Sequence, residues 1–390
     1  MISADPIVSV SSRGEDRIRR GHPWIYRSDV LRAPAAPGDL VTVVGPRDRR
    51  LGAALYSDRS QISLRMVAVG DERVTPDFWR ERLISAIRFR ESLQIDATAY
   101  RLVHGEADRL PGLVVDKYGD VLVVQALSQA TDRRLAELTS LLNELLTPRG
   151  ILARNDPKVR TLEGLEQRVD VLSGDVPATI EVREGPVTYS VDVRHGQKTG
   201  LFLDQRENRE AAARYARGRL LDCFSYNGGF ALYLAHRCES VHAIDQSADA
   251  VARITANAAR NGLANVTAAE ANVFDELRHY ERSNERFDTV VLDPPAFAKN
   301  KASVEKAMAG YKDINLRALR ILQPGGVLVT CSCSYNVDEP LFLQILAEAA
   351  ADARAHVTIL EKRMQGRDHP VLVTVPETYY LKCVILRKTA

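Results

Sequence analysis

Arg219-Leu220-Leu221-Asp222-Cys223-Phe224-Ser225-Tyr226-Asn227-Gly228-Gly229-Phe230 opens as a short apolar run, closes on an acidic residue and passes into a turn with two consecutive glycines. Downstream, the runs SVHAIDQ (240–246), FDTVVLDPP (287–295) and GGVLVTCSC (325–333) have the continuous apolar character of strands buried on both faces. Between them lie helical stretches such as ADAVARITANAARNG (248–262), which ends on a glycine stop. Strand and helix in alternation predict an α/β, Rossmann-like domain: a parallel, doubly wound sheet with helices on both faces. The terminal YYLKCVILRK (379–388) reads as a last strand, in an added edge hairpin.

In such a sheet a ligand sits beyond the carboxyl ends of the strands, beside the first one. Asn227, Gly228 and Gly229 would let the backbone turn tightly and approach a ligand closely. One glycine-rich loop is equally well an ordinary tight turn. Its company changes the weighing. Asp245 ends the next strand, where a carboxylate can accept both hydroxyls of a ribose. Asn272-Val273-Phe274-Asp275 follows the third strand, where a side-chain amide could pair with an adenine edge, although Asn272 alone also fits a turn. The loop is not G-x-G-x-x-G, and the acidic Asp222 before it suits a ligand that carries an amino acid, not a pyrophosphate. Nicotinamide dinucleotides fit poorly; S-adenosylmethionine fits the ordered set.

The fourth strand runs into Asp293-Pro294-Pro295-Ala296-Phe297. Two prolines stiffen the turn, and an aromatic residue follows on which a planar base could stack. A proline-braced turn with an exposed aspartate is the structural alternative, and enzymes that methylate exocyclic amines carry similar turns. The fifth strand ends in Thr330-Cys331-Ser332-Cys333-Ser334, where alternation puts Cys331 and Cys333 on one face. Carbon 5 of cytosine is a poor nucleophile, and a thiolate added at carbon 6 would make it an enamine carbon able to accept a methyl group. Inert buried cysteine is the common alternative; a metal pair is disfavoured without a second pair of ligands, so no metal is expected.

The remainder sets the frame. A chain of 390 residues implies two or three domains. With 45% hydrophobic and 27% charged residues, and no apolar run of the roughly 18 residues a membrane span needs, the chain reads as soluble, with no membrane partner. A start without a signal-like apolar run predicts a cytoplasmic location, and five scattered cysteines suit reduced thiols. The net charge of +2 hides an asymmetry: residues 1–65 hold 11 Lys/Arg against 7 Asp/Glu, and the rest 42 against 44. A basic N-terminal module suits a phosphate backbone, although a solvated basic face is the plainer reading. There, 38–48, 51–57 and 61–69 read as strands of a small barrel or sheet. A helix is predicted over 75–93, capped by Thr75 with Pro76 at its first position. The strands 112–119 and 120–128, a helix over 131–146, and strands at 151–156, 178–184 and 187–193 make a compact α+β unit.

Taken together, these motifs resemble the ribosomal RNA large-subunit cytosine-5 methyltransferases that carry an N-terminal PUA domain, over nearly the whole chain. The resemblance is carried by Gly21-His22-Pro23-Trp24-Ile25-Tyr26, by the segment from His195-Gly196-Gln197-Lys198-Thr199-Gly200 to Arg206, by Cys223–Phe230, by D-P-P-A-F, by Gly310-Tyr311-Lys312-Asp313-Ile314-Asn315 and by Ser332-Cys333-Ser334. It implies a PUA RNA-binding β-barrel over 1–72, a central α+β domain over 73–188 and a class I methyltransferase domain over 189–390. The HPW stretch by itself could equally be core packing. The resemblance further implies S-adenosylmethionine as cofactor, large-subunit ribosomal RNA as partner, and a cofactor-covering hairpin at 195–200. Cofactor contacts are expected from Thr199, Phe202, Asp204, Gln205, Asp222, Phe224, Tyr226, Asn227, Gly228, Asp245, Asn272, Val273 and Asp293. Cys333 is the implied nucleophile, Cys331 stands at a variable position, and Asp293 holds the polar edge of the base. This chain lacks the second cysteine that other cytosine-5 methyltransferases carry beside the fourth-strand motif, so the group that removes the carbon-5 proton is open. A homodimer is compatible with the sequence. The competing functions are methylation of an exocyclic amine or another RNA position without a thiol, and a non-catalytic RNA-binding or assembly factor.

Overall fold

The computed structural model describes residues 5–298 and 301–389 and divides them into two compact units. The first comprises the chain up to Val182 together with Val191–Gly200 and Asp368–Thr378. The second comprises Arg183–Ser190, Leu201–Arg367 and the chain from Tyr379.

In the first unit, the N-terminal strands form a six-stranded sheet, largely antiparallel, with one parallel pair between Ile7–Val10 and Leu40–Val44. A bulge interrupts most of its pairings, and these raise the local twist that curls a small sheet. Its core is Val8, Val10, Ile25, Val41, Val43 and Leu64. The opposite face is not solvated: Ala53, Leu55, Val67 and Ala68 share one apolar cluster with Phe78, Leu83, Leu113 and Leu138 of the central segment. Trp24 extends the tie, its indole Nε1 donating to Glu106 Oε1 at 3.0 Å. The HPW stretch thus has a packing role.

The central segment is a five-stranded sheet made by Ala99–His104, Leu113–Tyr118, Val121–Ala126, Gly150–Asn155 and Arg168–Gly174. Its first helix starts later than expected, at Phe78, with Asp77 at the cap. Thr75 closes a turn instead, its carbonyl accepting from the Phe78 amide. The helix expected over 131–146 is broken into Gln129–Arg133 and Leu135–Leu146, capped at its start by the Ser128 hydroxyl. The first and last strands of this sheet escaped the sequence reading: both carry arginines within their apolar pattern, and Arg168–Gly174 is a mostly exposed edge. The segment around His195 forms successive turns, not a hairpin.

Charged groups inside this unit are paired. Arg90, fully buried, bonds Asp108 and the carbonyls of Arg101 and Asp368. Arg101 grips Asp116 with two parallel bonds of 2.6 and 3.0 Å.

The second unit is a seven-stranded sheet. Its strands are β1 (Arg219–Cys223), β2 (Ser240–Asp245), β3 (Val266–Glu270), β4 (Phe287–Leu292), β5 (Leu322–Ser332), β6 (Val357–Arg363) and β7 (Lys382–Lys388). They lie in the order β3-β2-β1-β4-β5-β7-β6. The first five are parallel neighbours, and β7 runs antiparallel between β5 and β6. The terminal strand thus pairs antiparallel with β6 at the edge of the sheet as expected, and within that pair the buried run Lys382–Leu386 takes the inner place and β6, with exposed Ile359, the outer one. Apolar clusters on both faces of the sheet fill the space under the helices, one around Tyr311, Ile314 and Phe342, the other around Phe230, Leu234 and Ile254. Among the described residues no helix is long and apolar enough to cross a membrane.

Asp108→Ala leaves the Arg90 guanidinium buried without its counter-charge. A loss of about 3–5 kcal/mol is expected, read as a lower urea midpoint at unchanged slope.

Candidate active site at the carboxyl rim of the sheet

The parallel strands bring their carboxyl ends to one rim, and three of them carry an aspartate at the last residue or next to it. Asp222 on β1 is buried, and its Oδ2 accepts from the Ala231 amide at 3.0 Å. Its Oδ1 is also buried and has no hydrogen-bond partner. Burial, with the nearby negative charges of Asp293 and Asp245, pushes the Asp222 carboxyl up to about 7. A cation brought to Oδ1 would satisfy that oxygen and favour the charged form. The ammonium of an amino-acid-bearing ligand is such a group.

The loop after β1 is wound tightly. Phe224, Tyr226 and Gly228 all have positive φ, at 63°, 49° and 79°. At Gly228 a Cβ would also lie 3.1 Å from two Leu232 carbons, so glycine is required for both reasons. The Tyr226 amide donates to Asp245 Oδ2 at 2.9 Å, and the Ser247 amide to Oδ1 at 3.0 Å. These bonds orient the half-buried carboxylate and leave each oxygen a further lone pair, the capacity a pair of ribose hydroxyls needs. Asn227 accepts from Arg253 Nε at 2.6 Å, an internal brace. Phe202 meets the Tyr226 ring edge-on, with centroids 5.3 Å apart.

Asn272 is the cap of the helix Val273–Ser283, its Oδ1 accepting from the Phe274 amide at 3.0 Å and the Asp275 amide at 3.4 Å. Its carboxamide oxygen is occupied, and the NH₂ is what it could offer a base edge. Val273 is buried beneath it. Phe224, Phe274 and Phe297 form a ring cluster with centroid separations of 6.0–6.5 Å, and Phe297 also packs on Tyr311 at 4.7 Å.

Asp293 leaves β4 half-buried, and Gln205 Nε2 donates to its Oδ1 at 2.8 Å. Gln205 is held in turn by Asn208, which donates to its Oε1 at 2.6 Å. Asp204 accepts from the Tyr380 hydroxyl at 2.7 Å. Thr199 lies in the first unit, where its hydroxyl donates to Asp116 Oδ2 at 2.7 Å and pairs with the Tyr118 hydroxyl at 2.9 Å. All the other expected site residues belong to the second unit.

The two candidate thiols separate sharply. Cys331 lies within β5, fully buried opposite Cys383, and burial with that contact pushes its thiol well above the ordinary range. Cys333 stands one residue beyond the strand end, half-buried, so alternation along a strand does not govern where it points. Its Sγ lies 3.9 Å from the Pro294 carbonyl, against the turn that presents Asp293. The other four cysteines are buried. Around Cys333, the Ser334 hydroxyl pairs with Tyr311 at 2.9 Å and accepts from the Ala298 amide at 3.1 Å, while the Ser334 carbonyl accepts from Lys382 Nζ at 2.8 Å.

Three residues of this machinery were not singled out from sequence. Tyr311 sits inside a motif already noticed, without a role. Lys382 interrupts an apolar run, which is a signal. Arg209 gives none: it is buried, bonds Glu184 through Nε and Nη2 at 2.7 and 2.6 Å, and reaches the Phe202 carbonyl at 3.2 Å.

The fold, the carboxylates at its rim and the wound loop define an S-adenosylmethionine-dependent methyltransferase of the Rossmann-like class. Residues 8–68 match the PUA-like domain family, and residues 100–385 match the S-adenosylmethionine-dependent methyltransferase family. The chain belongs to the family of ribosomal RNA large subunit methyltransferase I. It is 41% identical to the member from Tolumonas auensis, over 96% of this chain and 97% of that one. To the member from Aeromonas hydrophila it is 41% identical, over 98% of each. Among solved structures it shares its fold with a SAM-dependent methyltransferase from Streptococcus mutans (TM-score 0.83, 20% identity, 98% of this chain and 99% of that one). A methyltransferase solved with S-adenosylhomocysteine superposes similarly (TM-score 0.85, 22% identity, 98% and 99%).

A carboxyl held near 7 in the fold and near 4 when unfolded stabilises the protonated native state. Its contribution is complete below about pH 4 and is lost as the pH rises through 7. Asp222→Asn removes that loss. Urea midpoints of the ligand-free variant are expected to gain on wild type between pH 5 and pH 8.

Proposed function

We propose that this chain transfers a methyl group from S-adenosylmethionine to carbon 5 of a cytosine in large-subunit ribosomal RNA, through a covalent adduct with Cys333. The observation that carries the reading is the place of that thiol: accessible, beyond the end of β5, and 3.9 Å from the carbonyl of Pro294 in the Asp293 turn. The names of the curated relatives support ribosomal RNA as the substrate class. Exposed arginines of the N-terminal segment, Arg20, Arg32, Arg47 and Arg50, have no ion-pair partner among the described residues and suit a phosphate backbone.

Bound in the loop after β1, S-adenosylmethionine supplies an electrophilic methyl group. In this reading Asp222 takes the ammonium of its amino-acid end at the unpaired Oδ1, and Asp245 takes the ribose hydroxyls. Asn272 offers its NH₂ to the adenine edge, and Phe202 and Phe224 contribute apolar walls. Asp204 acts further out, beside Gln205 and bonded to the Tyr380 hydroxyl.

A cytosine turned out of its RNA meets Asp293, whose orientation is set by Gln205. The Cys333 thiolate adds at carbon 6, electron density moves to carbon 5, and carbon 5 takes the methyl. Loss of the carbon-5 proton and expulsion of the thiolate release the product. Cys331, buried and held as a thiol, takes no part.

Cys333→Ala is expected to abolish methyl transfer from labelled cofactor while S-adenosylhomocysteine binding stays unchanged. RNA containing 5-fluorocytosine should remain attached to the wild-type chain on a denaturing gel, because fluorine cannot leave as a proton does. An active Cys333→Ala variant without a trapped complex would instead favour methylation of an exocyclic amine through Asp293-Pro294-Pro295. Asp293→Ala removes a charge-assisted contact and should lower kcat/KM by about 10- to 100-fold.

A further inference from the structure

Lys382 is the first residue of β7 and the one charge in an apolar run that continues through Leu386. It is 2% exposed. A lysine so buried ordinarily finds a carboxylate, and this one bonds none among the described residues. Its Nζ donates to two backbone carbonyls instead, Ser334 at 2.8 Å and Tyr380 at 3.0 Å. An ammonium has three N–H groups and a neutral amine two. Two acceptors satisfy the neutral amine fully and leave its lone pair free; they leave one donor of the ammonium unused.

The position is specific. The Cα of Lys382 pairs across the sheet with Ser332, and its Nζ bonds the carbonyl of Ser334, so the side chain brackets Cys333 from both neighbours. Burial lowers the Lys382 ammonium to about 8, opposed by the charges of Cys333 and Asp338. Those are the titratable groups that face it. Asp338 is committed to capping the following helix at the Leu341 amide, 2.9 Å away. Tyr311, on which Cys333 also acts, is pushed up by burial and stays neutral near pH 8, and Asp293 stands in the turn against which Cys333 packs. A lysine brought down to about 8 holds part of its population as the neutral amine near neutral pH, with a lone pair able to take a proton.

We propose that Lys382 is the charge partner of Cys333, a positioning residue that takes the thiol proton and holds the sulfur as a thiolate beside an ammonium. The S–H bond breaks with its electron pair staying on sulfur, and the amine lone pair forms the new N–H bond, directly or through one water. No co-reactant is consumed. The carbon-5 proton of the substrate leaves by a separate route. The role rests on the reading of Cys333 as the nucleophile, and it supplies the thiolate that reading requires.

The test is the pH dependence of Cys333 alkylation by iodoacetamide in the full chain, read by mass spectrometry, with the four buried cysteines as internal controls. Wild type should show a midpoint below 8. Lys382→Met should move it up by at least one unit, slowing alkylation at pH 7 about tenfold, and Lys382→Arg should keep it low. Thermal melting and S-adenosylhomocysteine binding establish that each variant is folded. A Lys382→Met midpoint equal to wild type overturns the proposal; so does a wild-type midpoint at or above about 8.5, which needs no variant to fold. Methyl transfer by Cys333→Ala, measured alongside, separates the two ideas: an active variant refutes the nucleophile while the alkylation profile still reports on the pairing.

Discussion

Three carboxylates converge where the parallel strands end, and the way their repulsion is absorbed governs the rest of the site. Asp245 accepts hydrogen bonds from the amides of Tyr226 and Ser247, and Asp293 from the carboxamide of Gln205. Asp222 lies deepest, and its burial, with the charges of Asp293 and Asp245 added, shows as a raised affinity for protons. A site so arranged is short of positive charge. It favours a cationic ligand, and a sulfonium with an ammonium at its amino-acid end meets that need. The backbone strain of the loop after β1 serves the same end, since its positive φ angles aim the Tyr226 amide at Asp245.

The opposite problem arises one strand further along. Just past the end of β5 stands the half-buried thiol of Cys333, and β7, whose antiparallel insertion between β5 and β6 places Lys382 level with Ser332, brings a buried amine to the backbone on either side of it. The insertion also explains how an apolar C-terminal strand is accommodated: an internal place in the sheet buries Cys383–Leu386 on both faces. Packing and chemistry therefore come from one topological choice.

The first unit follows a different economy of interactions. Its N-terminal sheet uses both faces, one for its own core and one for the core it shares with the central segment. Bidentate and buried ion pairs, Arg101 with Asp116 and Arg90 with Asp108, hold the polar remainder. Thr199 is drawn into that network through Asp116 and Tyr118, which gives the H-G-Q-K-T-G stretch a structural anchor that a motif cannot reveal.

Periodicity and turn chemistry, which are local, were enough to read the alternation of strand and helix, the wound loop at Gly228, the acidic strand ends and the proline-braced turn at Asp293. Edge strands broken by arginines were not legible, because propensity there yields to cross-strand pairing, and the cap expected at Thr75 falls two residues later, at Asp77. Between Cys331 and Cys333 the residues alone were silent: two thiols two positions apart differ only in which side of a strand end they occupy. Likewise the isolated charge of Lys382 could be seen in the chain, but its partners stand 48 residues away and two positions back. Short-range patterns were written in the amino-acid order; burial, ionisation and the pairing of distant side chains came only with the tertiary fold, because each depends on what surrounds a group in space.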